Sequence, residues 1–242
     1  MPSISIVVPA YNEEKRLPAS LEVIDAYLRR SSWSSYELLV VDDGSKDGTA
    51  AVAERFAATH PYCRLLRNPG NQGKGYSVRH GMLEASKEWA LFSDADLSAP
   101  IEELDKLYAA AAAAGVEVAI GSRALNRALI GVHQSPLREW AGRIFNMLMQ
   151  ILTGLRYWDT QCGFKLFRAD AAREIFRRQQ INGFGFDAEA LFVARLLGYR
   201  GVETAVRWNH AEGTKVSMFG DSVNMFLDLL RIWRYRLAGR YR

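Results

Sequence analysis

Cysteine is scarce in this 242-residue sequence, which contains only Cys63 and Cys162. Two cysteines so far apart provide neither a disulfide framework nor the paired spacing of a metal site. The chain also begins without the basic segment and apolar stretch of a signal peptide. Both absences favour a protein of the reducing cytoplasm.

Long apolar runs are missing as well, and no stretch approaches the ~20 residues needed to cross a bilayer. Apolar residues still make up 49% of the chain and charged residues 24%, proportions typical of a globular domain with a buried core. Neither a repeat of fixed period nor a linker-like composition divides the chain. We therefore expect a protein that is soluble or lies on a membrane surface.

The sequence also lacks both glycine-rich nucleotide fingerprints. The first apolar run is followed by Pro-Ala-Tyr-Asn instead of G-x-G-x-x-G, and Gly70–Ser77 does not have the P-loop spacing. Dehydrogenases and P-loop enzymes are therefore disfavoured. A nucleotidyltransferase is disfavoured too, because Pro9–Glu14 is not a glycine-rich, arginine-bearing loop. We expect no nucleic-acid partner.

The net charge of +4 conceals an asymmetry between the two halves of the chain. Residues 1–115 contain 12 Lys/Arg and 16 Asp/Glu, a net charge of −4, whereas residues 116–242 contain 19 and 11, a net charge of +8. An acidic first half suits a metal ion, and a basic second half suits an anionic partner or surface. Charges scattered over a solvated face would produce the same totals.

Strand-like and helix-like segments alternate through the first half. Short β-branched runs predict strands, and apolar residues at helical spacing predict the helices between them. This alternation is typical of a doubly wound, mostly parallel α/β sheet with helices on both faces. The predicted strands are 4–8, 37–41, 63–66, 89–92 and 116–120, and the predicted helices are 13–30, one opening at Asp47, 74–86 and 101–114.

The second half has a different pattern. From Ser222 the chain carries an apolar stripe (Val223, Phe226, Leu227, Leu230, Trp233, Leu237) and five arginines, which predicts an amphipathic, basic C-terminal helix. Such a stripe is more often core than membrane contact, but arginine-flanked apolar faces are also typical of interfacial helices. The other predicted elements are an amphipathic helix at 137–155, an irregular strand pair at 157–168, helices near 169–179 and 187–197, and a strand at 202–208.

Acidic residues follow three of the predicted strands, at Pro9–Glu14, Asp42–Ser45 and Asp94–Asp96. Ligands of doubly wound sheets bind beyond the carboxyl ends of the strands, so we expect these three segments to meet. Adjacent carboxylates repel each other unless a cation or hydrogen-bond donors offset the charge. Mg²⁺ and Mn²⁺ favour carboxylates together with substrate phosphate oxygens. The sequence places no lysine near this pair that could replace a metal. We therefore predict that Mg²⁺ or Mn²⁺ binds at Asp94–Asp96.

Eight segments together carry a resemblance to a known family: Ile6–Glu14, Val41–Ser45, Asn71–Gly75, Asp94–Asp96, Gly121–Arg123, Asp159–Lys165, Phe186–Glu189 and Trp208–Ser217. They resemble the second family of glycosyltransferases, inverting enzymes of GT-A fold that use nucleotide sugars. The pattern is similar to the polyprenyl- and dolichyl-phosphate sugar synthases, particularly their glucosyl branch. It implies a GT-A domain over 1–220, with a nucleotide-sugar half at 1–121 and an acceptor half at 122–220, followed by the C-terminal helix at 221–242.

The resemblance implies donor-binding roles for Pro9, Tyr11, Glu13, Val41, Asp43, Asp94, Ala95 and Lys215. Asp43 would accept a hydrogen bond from the uracil ring. Asp94 would hold the ribose and assist the metal, whereas Asp96 would be the main metal ligand. Ser98 stands where mannosyl members often have glutamine, which leaves a side-chain metal contact open at this position.

On the acceptor side, the resemblance implies that Arg123, with Arg138 or Arg143, meets a phosphate. The planar guanidinium fork suits a phosphate better than the point charge of lysine does. Asp187 is the candidate general base or orienting residue, and a helix N-cap is its structural alternative. The implied catalytic residues are therefore Asp96, Asp187 and Arg123.

The activity implied is inverting transfer of a hexose, with UDP-glucose the favoured donor, to a polyprenyl or dolichyl phosphate. Such an enzyme would lie peripherally on the inner, cytoplasmic face of an anionic membrane, and it could form a homo-oligomer. Two alternatives stay open. One is a same-fold enzyme that uses GDP-mannose, and the other is one that acts on a soluble or polysaccharide acceptor.

Overall fold

A central sheet of seven strands organises the protein, for which we use a computed structural model that describes residues 1–132, 146–209 and 220–242. The strands are β1 (Ile4–Ala10), β2 (Tyr36–Asp42), β3 (Cys63–Arg67), β4 (Trp89–Ser93), β5 (Val118–Ser122), β6 (Ile130–Val132), β7 (Phe164–Arg168), β8 (Gly201–Ala205) and β9 (Trp208–Asn209). The sheet order is β3-β2-β1-β4-β7-β5-β8, and β6 pairs with β9 in a small separate ribbon.

Helices cover both faces of the sheet. Their bounds are α1 (Leu17–Arg30), α2 (Thr49–Thr59), α3 (Lys74–Glu84), α4 (Glu103–Ala114), α5 (described over 146–153), α6 (Ala169–Arg178), α7 (Phe186–Leu196) and α8 (Gly220–Leu237). A short 3₁₀ turn at Arg127–Leu129 precedes β6.

The side chains of the strands alternate between two hydrophobic clusters, one on each face of the sheet. Ile4, Ile6 and Val8 of β1 pack on the side of α1, α2 and α4, whereas Val7 packs on the side of α3, α6, α7 and α8. This period of two follows from the pleat, and two covered faces are what a mostly parallel sheet requires. The predicted α/β architecture is confirmed.

The predicted strand pair at 157–168 is wrong. A single strand, β7, lies between β4 and β5 and runs antiparallel to both. The residues before it form turns, which bring Gly163 against the end of β4, where its carbonyl accepts from the Asp94 N–H at 3.1 Å. The predicted strand at 202–208 is also interrupted, because Val206 and Arg207 separate β8 from β9.

The C-terminal helix α8 packs into the core through a face that the sequence analysis did not single out. Leu229 and Ile232 are fully buried, and Tyr241 beyond the helix is 5% exposed. The members of the predicted apolar stripe whose exposure is described (Phe226, Leu227, Leu230, Trp233, Leu237) are instead 39–77% exposed. The interpretation of this stripe as core is therefore wrong for those residues. No helix in the described ranges is long and apolar enough to span a membrane.

A buried carboxylate joins the C-terminal segment to α7. Glu189 of α7 accepts hydrogen bonds from the backbone N–H groups of Gln180 and Ile181, and from the Tyr241 hydroxyl at 2.6 Å. Burial raises the pKa of Glu189 to about 7, although these hydrogen bonds oppose the rise. The loop before α7, the helix itself and the C-terminal segment therefore share one ionisable group.

We predict that Glu189 makes stability depend on pH. Its proton is favoured in the folded state, so its contribution is fully present below pH 4.5 and is lost as the pH rises through about 7. A rise in pKa from 4.5 to about 7 corresponds to roughly 3 kcal/mol. Urea unfolding at pH 5 to 8 should therefore show the wild-type free energy of unfolding falling relative to that of Glu189→Gln. A difference that stays constant across this range would contradict the assignment.

Candidate active site

The carboxyl ends of β1, β2 and β4 meet at the point where the strand order changes direction. β2 and β3 lie on one side of β1, whereas β4 lies on the other and is parallel to it. A crevice at such a switch point is the ligand site of doubly wound sheets. The three acidic segments that the sequence places after these strands therefore share one edge of the sheet.

The loops after β1 and β2 are bonded to each other. The Asn12 N–H donates to Ser45 Oγ at 2.9 Å, and the Lys46 N–H donates to Asn12 Oδ1 at 2.8 Å. Asn12 has a φ of 52°, a left-handed conformation that asparagine tolerates well. The Glu13 N–H donates to Thr49 Oγ1 at 2.7 Å. The two loops therefore form one wall of the crevice.

The Asp43 carboxylate holds a third loop, residues 68–73, through hydrogen bonds. One of its oxygens accepts from Asn68 Nδ2 at 2.7 Å and the Gln72 N–H at 3.0 Å, and the other accepts from the Gly73 N–H at 2.8 Å. Next to it, Gly44 lies so close to Gly70 that a Cβ at position 44 would stand 2.5 Å from the Gly70 backbone. The carboxylate thus positions the 68–73 loop. Its contact with a nucleobase stays a prediction.

Asp94 and Asp96 follow β4 on a turn whose geometry depends on Gly163. A Cβ at position 163 would stand 2.1 Å from Asp94 Oδ2, so a larger residue here would push the Asp94 carboxylate aside. Asp96 Oδ1 accepts from the Ser98 N–H at 3.0 Å, which fixes the turn. Ala95 is buried, and its carbonyl accepts from the Ser20 hydroxyl of α1 at 2.6 Å.

A lysine stands beside these carboxylates, contrary to the sequence-based expectation. Lys74 Nζ lies 2.6 Å from Asp94 Oδ1, although the two residues are 20 positions apart in the sequence. Burial lowers the pKa of Lys74, but the carboxylates of Asp94 and Asp187 raise it above its usual value. The ammonium group is therefore charged and compensates Asp94.

Asp187 is not a helix N-cap. Gly185 occupies the N-cap position of α7, and Asp187 lies in the first turn, where its carboxylate pairs with the ammonium group of Lys165. Lys165 is fully buried and also donates to the Cys162 carbonyl at 2.6 Å. Burial raises the pKa of Asp187, and the charges of Lys165 and Lys74 oppose that rise.

Arg123 extends from the end of β5 and forms a two-pronged ion pair with Asp159. Its Nε lies 2.6 Å from Asp159 Oδ2, and its Nη2 lies 2.8 Å from Oδ1. The guanidinium also stands 5.4 Å from the ring centroid of Trp208. Burial opposes the charge, but Asp159 raises the pKa of Arg123, and the arginine in turn lowers the pKa of Asp159. The Nε and Nη2 edge of the Arg123 guanidinium, which was predicted to bind a phosphate, is thus already paired with Asp159.

Three predicted residues, Arg138, Arg143 and Lys215, lie outside the described residues. Among the others, Pro9 and Val41 are register partners in β1 and β2, and the half-buried Tyr11 follows β1. No role was predicted for Lys74, Lys165 or Asp159, although all three stand in segments that carry the family resemblance. Their place in those segments was the available signal.

The donor set at Asp94 and Asp96 fits a hard divalent cation. It consists of two carboxylates on one turn, and Mg²⁺ and Mn²⁺ are bound through one or two carboxylates plus substrate phosphates. The described residues contain no group of three or more acidic, histidine or cysteine side chains arranged to hold a metal without a substrate. A metal here would therefore complete its coordination with water or with oxygens from a substrate.

The family model for glycosyl transferase family 2 matches residues 5–176. The chain is 38% identical to a dolichyl-phosphate beta-glucosyltransferase of Drosophila melanogaster over 99% of its own length and 77% of that protein. A dolichyl-phosphate beta-glucosyltransferase of Trichomonas vaginalis is also 38% identical, over 97% of this chain and 72% of that protein. The human dolichyl-phosphate beta-glucosyltransferase is 34% identical over 99% of this chain and 77% of that protein.

Among solved structures, the fold is similar to glucosyl-3-phosphoglycerate synthase of Mycobacterium tuberculosis in complex with Mn²⁺, UDP and glucosyl-3-phosphoglycerate. The TM-score is 0.68 at 19% identity, over 96% of this chain and 80% of that one. At this identity the likeness establishes the fold alone, and the predicted GT-A architecture is confirmed.

We predict that Gly163→Ala weakens Mn²⁺ binding at least tenfold. The added Cβ would overlap Asp94 Oδ2 and turn that carboxylate away. Overpacking costs ~1–3 kcal/mol, so the protein should still fold. Gly183→Ala is the matched control, because the nearest atom to its Cβ would be 3.8 Å away. Titration of Mn²⁺ by electron paramagnetic resonance measures both. Wild-type affinity in Gly163→Ala would show that Asp94 is not a metal ligand.

Proposed function

The chain belongs to glycosyl transferase family 2, and from this membership we propose that it transfers glucose from UDP-glucose, with inversion, to a polyprenyl or dolichyl phosphate. One observation carries the proposal. Asp94 and Asp96 stand at the switch point of a chain that is 32–38% identical to dolichyl-phosphate beta-glucosyltransferases. In this reaction a phosphate oxygen attacks the anomeric carbon as the bond to the leaving UDP breaks on the opposite side.

On the donor side, the crevice between β1 and β4 takes the nucleotide. Tyr11 and the Asp43-anchored loop flank the base, and Asp94 lies nearer the ribose. A divalent Mg²⁺ or Mn²⁺ held by Asp94 and Asp96 would neutralise charge on the leaving diphosphate. The protein keeps both carboxylates in place beforehand, through Lys74 and Gly163 at Asp94 and the Ser98 N–H at Asp96.

On the acceptor side, we assign Asp187 the part of an orienting residue and not that of a general base. Its side chain is buried and paired with Lys165, so it has little access to solvent. The acceptor needs little help from a base, because a phosphomonoester with a second pKa of about 6 is already anionic at pH 7. Arg123, held by Asp159, attracts that phosphate.

The exposed face of α8 supports a membrane location. Phe226, Leu227 and Leu230 are 41–43% exposed, although the same helix has a second, fully packed face. In α5, Ile151 is 70% exposed, and α8 contacts this helix through a hydrogen bond from Trp233 Nε1 to the Leu152 carbonyl. Arginines at 231, 234, 236 and 240 accompany the apolar face, and each basic residue near anionic lipid contributes ~1 kcal/mol of attraction. We place the enzyme on the cytoplasmic face, where its two free cysteines stay reduced.

Transfer should require a divalent cation, and Asp96→Ala should abolish nearly all of it. The variant removes the carboxylate that we propose as the main metal ligand. The test is transfer from UDP-glucose, UDP-galactose, UDP-N-acetylglucosamine and GDP-mannose to a short polyprenyl phosphate, with and without Mn²⁺. Glucose should be the preferred sugar. Full turnover of the wild-type enzyme in excess chelator would contradict the metal requirement.

UDP should bind at least tenfold more tightly than GDP, a gap of about 1.4 kcal/mol. The imide of uracil offers one donor between two acceptors, and its N–H suits the carboxylate of Asp43. Calorimetry with both nucleotides in the presence of Mn²⁺ measures the difference. A preference for GDP would indicate a mannosyl donor instead.

The double variant Phe226→Ser/Leu230→Ser should bind anionic liposomes at least tenfold more weakly than the wild type. Its turnover on a water-soluble, short prenyl phosphate should be nearly unchanged, because both side chains point away from the core. Val23→Ser is the control, since Val23 is 45% exposed on α1 on the other side of the sheet. Transfer only to free saccharides, without liposome binding, would favour a soluble acceptor.

A further inference from the structure

We infer that Lys74 is a positioning residue that supplies part of the positive charge a metal would provide. It competes with the cation for Asp94, and it attracts the donor diphosphate. This inference rests on the proposed function, because it concerns the same donor site. It is carried by the ion pair between Lys74 Nζ and Asp94 Oδ1, at 2.6 Å.

The position of Lys74 is fixed by the start of α3. Gly73 precedes it with a φ of 100°, and a Cβ at position 73 would stand 2.5 Å from the Asn182 carbonyl oxygen. That same oxygen accepts from the Gly75 and Tyr76 N–H groups at 2.7 and 3.2 Å. Two N–H groups in the first turn of α3 are therefore already used within the protein. The positive charge that this turn presents to a ligand is the Lys74 ammonium group.

The surroundings of Lys74 direct its charge toward the site. Its side chain is 24% exposed, and the ammonium group stands 6.0 Å from the ring centroid of Phe186. Asp96 and Asp187 also act on it electrostatically. Asp187 has its own ion-pair partner in the buried Lys165, whereas Lys74 forms its ion pair with Asp94.

Two consequences of opposite sign follow. Lys74 lowers the affinity of the empty site for a divalent cation, because both cations need the Asp94 carboxylate. The same charge raises the affinity for UDP when no metal is present, because it partly neutralises the diphosphate. A lysine that served only the fold would not shift the two affinities in opposite directions.

The test compares wild type, Lys74→Met and Lys74→Arg. Mn²⁺ binding without nucleotide is measured by electron paramagnetic resonance, and UDP binding in excess chelator is measured by calorimetry. We expect Lys74→Met to bind Mn²⁺ at least threefold more tightly and UDP at least tenfold more weakly. Lys74→Arg, which keeps the charge, should stay within threefold of the wild type for UDP. Lys87→Met, at the opposite end of β4, should change neither affinity.

Unchanged or weaker Mn²⁺ binding in Lys74→Met would overturn the inference, and so would unchanged binding of metal-free UDP. If Lys74→Met fails to fold, Lys74→Gln provides the same comparison with a polar side chain. A failure of the proposed function is distinguishable, because the wild-type protein would then not bind UDP even with Mn²⁺. The nucleotide-free Mn²⁺ measurement would still decide whether Lys74 competes for Asp94.

Discussion

Charge compensation at the carboxyl edge of the sheet is the constraint on which the site depends. Carboxylates at Asp94 and Asp187 lie close enough to affect each other, and burial raises the cost of keeping Asp187 charged. Lys74 pairs with the first and Lys165 with the second. The same alternation continues through Asp159 to Arg123. Negative groups can therefore be held beside the crevice before any ligand arrives.

The antiparallel strand β7 makes this arrangement possible. It lies between β4, which ends at the Asp94 turn, and β5, which ends at Arg123. Its register pairs Lys165 with Phe92 and Ile120, so the buried lysine lies between the strand that ends near Asp94 and the strand that ends near Arg123. The loop before α7 also joins α3 to α8. The Asn182 carbonyl accepts hydrogen bonds from the first turn of α3, and Gly185 packs against Asp228 of α8. The helix α8, with its exposed apolar face, and the first turn of α3 thus share one support.

Local sequence patterns predicted most of the first half. The β-branched runs marked β1 to β5, and polar segments after them marked the edge where the site lies. Contacts between distant segments were not predictable, because neither periodicity nor local spacing encodes them. Lys74 with Asp94 and Arg123 with Asp159 are examples. The buried face of α8 was missed for a related reason: Leu229 and Ile232 form a weaker stripe than the exposed one, and only the fold decides which stripe packs.

The central claim is that the strand ends at the switch point form a metal–nucleotide site. A crystal structure with UDP and Mn²⁺, with anomalous scattering used to locate the metal, tests it most directly. We expect one Mn²⁺ peak within coordination distance of an Asp96 oxygen and the diphosphate, with the uracil beside Asp43. A nucleotide bound elsewhere, or Mn²⁺ coordinated away from Asp94 and Asp96, would contradict the account.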